Sequence, residues 1–239
     1  MKKNRLVNLM TVVLALLFAT MSMASVHYDA KKARRAVDPG NFVNRINNEY
    51  FPLTPGTTLT FEGESEGVPT RDVMIVARET REILGVNTTI VHHLSYEDGV
   101  LIEDTFDWFA QDEDGNVWYF GEDTKELDAS GNVISTEGSW EAGVNGAEPG
   151  IIMLADPKKG NRYQQEFAPD IAEDMAQVVG FQDSLCVQYG CFENILVTKE
   201  WSPLEKGVVE LKYYAPEVGF ILTDMVKGGD ETSELVRVR

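Results

Sequence analysis

Residues 107–120 read DWFAQDEDGNVWYF, two apolar and aromatic runs on either side of Asp114-Gly115. An Asp-Gly pair between such runs is a strong short-range signal for a β-hairpin, because glycine readily takes the positive φ that tight hairpin turns require. The stretch therefore predicts two antiparallel strands joined by a turn at Asp114-Gly115.

The same pattern extends over most of the chain. From Phe51 onward, short runs rich in β-branched and aromatic residues are separated by Gly, Pro, Asp or Asn, as in RDVMIVAR (71–78), NTTIVHHLSY (87–96) and GVVELKYYAP (207–216). Helical periodicity is scarce, and its best candidate, DIAEDMAQVV at 170–179, also fits a strand. The sequence predicts an all-β fold, with a curved antiparallel sheet or an open barrel.

Two halves of the chain resemble each other in pattern. LGVNTTIV (84–91) aligns with YGCFENIL (189–196), and DWFAQDEDGNVWYF aligns with KYYAPEVGFIL (212–222) if a short deletion is allowed. This predicts two related β-meander halves, at 51–128 and 161–239, joined by a Gly-rich connecting loop at 129–160. Trp140 and the apolar run IIML within that loop predict that it packs back on the sheet as a lid.

The N-terminus has the features of an export signal. Three cations precede a mostly apolar run, and small residues follow it, which predicts a signal peptide over 1–24 and then a polar leader over 25–50. An uncleaved membrane anchor is the alternative, although the run is shorter than a membrane-spanning helix needs and no later stretch comes closer. We expect a periplasmic or secreted protein without a transmembrane span.

The formal net charge of the full sequence is −18. Such a charge repels phosphate backbones and anionic lipids, so nucleic acid is not an expected partner. The simplest role of the acid excess is to keep an exported protein soluble, while cations or basic proteins are compatible partners. The sequence does not indicate an oligomeric state.

The two cysteines occur in LCVQYGCF, as Cys186 and Cys191. Two strand ends around a tight turn would bring their sulfurs near bonding distance, which favours a disulfide in an oxidising compartment. Two free buried thiols, or a metal or redox site, are the alternatives.

Acidic residues are dense around the quoted hairpin. Asp112, Asp114, Asn116 and Asp123 partly match the ligand spacing of a helix–loop–helix calcium loop, but Gly115 stands at the fourth position and a strand follows too early. The motif therefore fails as that loop, and the turn interpretation is favoured. A site of another geometry for calcium or another hard cation stays as an alternative, because like charges held close recruit cations.

Aromatic residues suggest a ligand site on the concave face of the sheet. We expect them to surround a small apolar or amphipathic ligand, since such sites are concave and mostly apolar. The alternative is that these residues form the core. They are Trp108, Trp118, Tyr119, Trp140 and Trp201.

Catalytic templates fit poorly. There is no Gly-x-Ser-x-Gly elbow, and His92 and His93 are adjacent in a strand, so they point to opposite faces and cannot easily share one metal. Asp107 is either buried and paired or on a wet face, and the second reading is the simpler one. A pair of carboxylates that cleaves glycosides stays an alternative, because the distance between acids cannot be read from the sequence. Since the other templates fit poorly, an enzyme is the less favoured class.

Three motifs, DWFAQDEDGNVWYFGEDT, STEGSWEAGVNGAEPGIIM and EWSPLEKGVVELKYYAPEVGF, resemble a family of exported bacterial proteins described only as hypothetical. The resemblance covers roughly residues 50–225 and implies no catalytic residues. More loosely, the chain is similar in architecture to lipocalin-like or lipoprotein-carrier-like envelope proteins. The leading hypothesis is an exported binding module for an apolar or amphipathic ligand, with a cation-binding protein or a structural envelope protein as alternatives.

Overall fold

The structure is a computed structural model that describes residues 37–239. The signal-peptide prediction and the first part of the leader lie outside the described residues. A 3₁₀ helix at Pro39–Asn41 is followed by three short strands, β1 (Phe42–Val43), β2 (Ile46–Asn48) and β3 (Phe51–Leu53).

Ten longer strands form two groups of five. The first group is β4 (Thr58–Ser65), β5 (Val68–Ile83), β6 (Val86–Glu97), β7 (Val100–Asp112) and β8 (Val117–Leu127). Short strands follow as β9 (Val133–Ser135), β10 (Trp140–Glu141), β11 (Glu148–Met153), β12 (Arg162–Gln164) and β13 (Glu166–Phe167). The second group is β14 (Met175–Val187), β15 (Gly190–Trp201), β16 (Val209–Ala215), β17 (Gly219–Lys227) and β18 (Glu231–Val238).

Each group of five is an antiparallel meander. The strand order of the large sheet is β12-β14-β15-β16-β17-β18-β4-β5-β6-β7-β8-β11-β13, so β18 pairs with β4 and joins the second meander to the first. The all-β prediction is confirmed, and the 170–179 segment contains the start of β14 rather than a helix. The turns at 84–85 and 188–189 each join two long paired strands, but the relation between the two halves stays a prediction.

One short segment joins the two ends of the sheet. The terminal strands in the order, β12 and β13, are separated only by Gln165. Residues 162–167, which we call the seam, therefore pair with β14 through their first part and with β11 through their second. The sheet is thereby nearly closed into a barrel, with an interior face and an outer face.

The seam needs a close approach of two backbones. A Cβ atom at Gly150 in β11 would lie 2.2 Å from the carbonyl oxygen of Gln165. The Gln165 and Glu166 N–H groups both donate to the carbonyl oxygen of Asp174, at 2.7 and 3.3 Å. The seam is thus fixed by backbone contacts on both sides.

The described part of the predicted leader belongs to the folded body. Ile46 and Tyr50 are buried in the larger core cluster, and the Phe42 ring contacts the Phe120 ring edge-to-face at 5.6 Å. The β2–β3 pair lies outside the large sheet and contributes Leu53 to the same cluster. These apolar side chains explain why a segment that is polar on average packs rather than extends.

The predicted connecting loop, 129–160, carries three short strands that pair with β8. Trp140 and Met153 are buried in the larger core cluster, so the segment packs back on the sheet as its apolar residues suggested. A smaller second cluster contains Phe61, Ile221 and Leu235. Within residues 37–239, no helical segment has the length and apolar character needed to cross a membrane.

Candidate functional site

An acidic cavity of about 670 Å³ is lined by residues of β8, of the seam and of the segments that follow the seam and β15. We call it the acid cavity. Its lining contains no Lys, Arg or His, and its apolar contribution comes mainly from Ile171, Ala172 and Leu204. Seven of its lining residues are acids: Glu122, Glu126, Glu137, Glu166, Asp170, Asp174 and Glu205. A cavity of this composition favours a positively charged guest.

Glu122, which lines the cavity, is the direct cross-strand neighbour of Asp107 on the interior face. Asp107 is buried and accepts a hydrogen bond of 2.6 Å from the Tyr119 hydroxyl. Burial, which favours the neutral form, raises the pKa of Asp107 although His93 and Tyr119 oppose the shift. Burial and the Asp107 charge together raise the pKa of Glu122 to about 8. The two carboxyls therefore hold protons more tightly than exposed acids do.

Glu166 lies in the seam, close to charged residues of both meanders. Burial, followed by the charges of Glu122, Asp174 and Asp107, raises its pKa well above the ordinary glutamate value, while Lys212 acts in the opposite direction. Glu166 thus responds to acids of the first meander and to a cation of the second.

The second meander supplies a paired charge. Lys212 Nζ lies 3.1 Å from Glu200 Oε2 and 3.6 Å from Glu210 Oε2. Glu200 is buried and also accepts hydrogen bonds from the hydroxyls of Thr198 and Tyr214, at 2.7 and 3.1 Å. Burial alone would raise the pKa of Glu200, but Lys212 and these hydrogen bonds lower it overall. Glu200 is therefore an anion with its partner already present, unlike Glu122 and Glu166.

His93 and Asp72 form a similar pair on β6 and β5. His93 Nε2 lies 3.3 Å from Asp72 Oδ1, and the Ser95 hydroxyl donates to the same oxygen at 2.7 Å. Burial would lower the pKa of His93, but Asp72, Asp107 and Glu103 raise it overall. His92 points to the outer face, where it contacts Asp104 and stacks on Phe106, so the two histidines are separated as expected.

The aromatic residues predicted to contact ligand do not line the acid cavity. Trp108, Tyr119 and Trp140 are 4%, 4% and 6% exposed and belong to the larger core cluster, which is the alternative interpretation given above. Trp118 packs against that cluster, and Trp201 is partly exposed beside Arg162 and Lys199. Arg81 covers the Trp108 ring at 4.0 Å on the outer side. The structure therefore does not bring the five together around one surface.

The predicted cation ligands are also spread out. Asp112 accepts hydrogen bonds from the backbone and side-chain N–H groups of Asn116 and from Trp118 Nε1, at 2.8 to 2.9 Å. Asp114 lies exposed in the turn, where Gly115 has a φ of +95°. Asp123 lies seven positions along β8 from Asn116, roughly 20 Å away, and contacts Lys125. Among residues 37–239, no group of three or more His, Cys, Asp or Glu side chains is arranged to hold a metal ion.

The disulfide expected between the two cysteines is present. Cys186 and Cys191 are directly paired across β14 and β15, and their sulfurs are bonded. The bond closes an exposed hairpin far along the strands from Glu200, which pairs with Ala176 in the same ladder. The disulfide is a local cross-link rather than part of the acid cavity.

Sequence reasoning included Asp107 and Glu122 in an acid-rich stretch but missed Glu166, Glu200 and Lys212. Two of these three residues stand out in the sequence. Glu200 and Lys212 are charged residues inside otherwise apolar strand patterns, and such residues are expensive to bury unless paired. Glu166 had no comparable signal, because its position depends on closure of the seam.

No protein-family model matches the chain, and no curated protein matches it. Two solved structures are similar in fold. One is a candidate exported protein with a YmcC-like fold from Bacteroides fragilis, with a TM-score of 0.47 and 13% identity over 80% of this chain and 99% of that chain. The other is a candidate lipoprotein from Parabacteroides distasonis, with a TM-score of 0.45 and 12% identity over 80% of this chain and 99% of that chain.

Proposed function

We propose that the protein is an exported binding module that takes a small amphipathic ligand carrying a positive charge. One observation carries the proposal. The acid cavity is lined by seven acids without any basic residue, and two of them, Glu122 and Glu166, lie close to other acids whose charges raise their pKa values. A ligand ammonium group would stabilise the ionised forms of these two acids, and Ile171, Ala172 and Leu204 offer apolar contact to the rest of the ligand.

The proposal that the protein is exported rests on the signal peptide predicted over residues 1–24 and on the disulfide. Disulfides form and persist in oxidising compartments and are rare in the cytosol. The Cys186–Cys191 bond is therefore compatible with a periplasmic or secreted protein.

The test compares three probes of the same chain length, hexylamine, hexanol and hexanoate, by isothermal titration calorimetry. We expect hexylamine to bind and the other two to bind at least about tenfold more weakly, because only the amine complements the acids. Hexanoate binding as well as hexylamine, or no heat from hexylamine at millimolar concentration, would contradict the proposal.

A variant locates the site. Glu166→Gln keeps the shape of a protonated Glu166, so the fold should be retained, while the negative charge is no longer available to the ligand. We expect it to weaken hexylamine binding about five- to tenfold, in line with the loss of one charged hydrogen bond. The matched control is Glu79→Gln, which removes the same charge from an exposed position of β5 and should leave the affinity unchanged.

A further inference from the structure

Buried polar side-chain atoms without a partner share one location. Among residues 37–239 they include Thr70 Oγ1, Trp140 Nε1, Tyr163 Oη and Thr223 Oγ1. Strand pairing and alternation place these four on the interior face, which also carries Asp107 and Glu200. Buried polar groups are normally paired with protein, ordered water or ligand, so this concentration points to an occupant of the interior.

Thr70 and Thr223 belong to a continuous row of paired residues across the sheet. Directly paired residues on adjacent strands share a face and lie about 5 Å apart. Their pairing order is Thr70, Gly63, Ser233, Thr223, Lys212 and Thr198, which we call the interior row. Thr223 and Ser233 are 7% and 5% exposed. The row therefore presents buried hydroxyls next to the charged Lys212.

The seam adds Tyr163, whose hydroxyl has no partner, and Gln165, which contacts Glu200, beside Lys212. Tyr163 and Gln165 alternate along the seam, so they share a face, and they are 8% and 2% exposed. Tyr163 pairs with Ala176, which pairs with Glu200, the partner of Lys212. Burial raises the pKa of Tyr163, and the Glu200 charge adds to that shift, as expected for a phenol close to this carboxylate. Glu166, the next residue in the seam, lines the acid cavity.

We propose that the interior row, together with Tyr163 and Gln165, is a hydroxyl-binding subsite continuous with the acid cavity, and that the ligand is a hydroxylated amine. This inference rests on the proposed function, since the acid cavity supplies the site for the amine. Hydroxyls suit the subsite because a ligand hydroxyl both donates and accepts, and so do the unpartnered hydroxyls of Thr70, Tyr163 and Thr223. A ligand carboxylate fits less well, because Lys212 is already paired with Glu200 and Glu210.

The probes are three compounds with the same six-carbon chain: glucamine, which has an amine and hydroxyls, hexylamine, which has only the amine, and sorbitol, which has only hydroxyls. We expect glucamine to bind at least about tenfold more tightly than hexylamine in calorimetry, because a site built to hydrogen-bond hydroxyls rejects an analogue that lacks them. Equal affinities for glucamine and hexylamine would overturn the hydroxyl subsite and leave the proposed function standing. Glucamine and sorbitol binding equally, with no binding of hexylamine, would instead overturn the proposed function and retain the subsite.

Thr223→Val tests the contact itself, since it removes the hydroxyl while keeping the branched shape that a strand favours. We expect the variant to lose most of the glucamine advantage and to bind hexylamine as the wild type does. Ser233→Ala is the second variant if Thr223→Val does not fold, and Thr232→Val, on the exposed face of the same strand β18 as Ser233, is the matched control. A glucamine advantage that survives both Thr223→Val and Ser233→Ala would mean that these hydroxyls hold ordered water only and would overturn the proposal.

Discussion

At the scale of single residues, Asp112 shows how a carboxylate can serve a turn rather than a cation. Its oxygens accept three hydrogen bonds, from two N–H groups of Asn116 and from the indole N–H of Trp118. The sequence placed Asp112 in an acid-rich loop but gave no information on these donors. The hairpin itself was predictable, because an Asp-Gly pair between two apolar runs is a strong signal for a tight hairpin turn.

We predict that Asp112→Ala lowers the free energy of unfolding by about 1–3 kcal/mol, because it leaves donors of Asn116 and Trp118 without an acceptor. Urea unfolding followed by tryptophan fluorescence measures the change. Asp114→Ala is the control, since Asp114 is exposed in the same turn, and it should change stability by less than about 0.5 kcal/mol. A calcium-dependent rise in the midpoint that either substitution abolishes would instead support the cation alternative.

At the scale of elements, the seam decides the closure of the sheet. Closure depends on the approach of β11 to Gln165 at Gly150, where any side chain meets a backbone carbonyl. Unlike a flexible side chain, this carbonyl cannot turn away, because the seam is paired on both sides.

We predict that Gly150→Ala destabilises the protein by about 1–3 kcal/mol, the usual cost of inserting a methyl group where there is no space. Hydrogen exchange should show faster exchange at residues 162–167 than in the wild type. Gly190→Ala is the control, because a Cβ there meets only Phe192 at an ordinary contact distance of 3.8 Å. Equal protection of the seam in both variants would show that the close approach at Gly150 does not hold it.

Sequence patterns predicted the elements better than the faces they present. The strand–turn alternation gave the all-β class and the hairpin that brings Cys186 to Cys191, because these depend on neighbours in the chain. The side on which Asp107 lies was not predictable, because Trp108 is also buried, under Arg81, and both faces of β7 are therefore covered there. The acid cavity depends on Glu166, whose position is fixed only when two distant strands enclose the seam.

At the scale of the whole molecule, the interior carboxyls make stability depend on pH. The folded state holds protons on Glu122, Glu166 and Asp107, whose pKa values are raised, and the unfolded chain releases them at lower pH. Stability falls with rising pH wherever the folded state binds more protons than the unfolded chain. These three acids therefore destabilise the fold increasingly as the pH rises above their ordinary pKa values, and for Glu122 the decline continues up to about pH 8. His93, whose pKa is also raised, loses its contribution as the pH rises through its folded value.

We predict that the free energy of unfolding is higher near pH 5 than near pH 8, as measured by urea unfolding at fixed ionic strength. At lower pH the opposite sign applies, because the lowered pKa values of Asp72 and Glu200 make the fold lose stability when those acids are protonated. Glu122→Gln should flatten the decline between pH 5 and 8, while Glu79→Gln should not. A stability that rises steadily from pH 5 to pH 8 would contradict the prediction.

The pairing of β18 with β4 has a consequence for biosynthesis. Strand β4 lies near the start of the described chain and β18 near its end, so a growing polypeptide exposes the β4 edge until almost all residues have been made. Such distant partners fold slowly, and an open edge invites pairing with another polypeptide. A shortened chain that stops before Glu231 would have two uncovered edges, on β4 and β17, and would aggregate rather than form a smaller version of the same molecule.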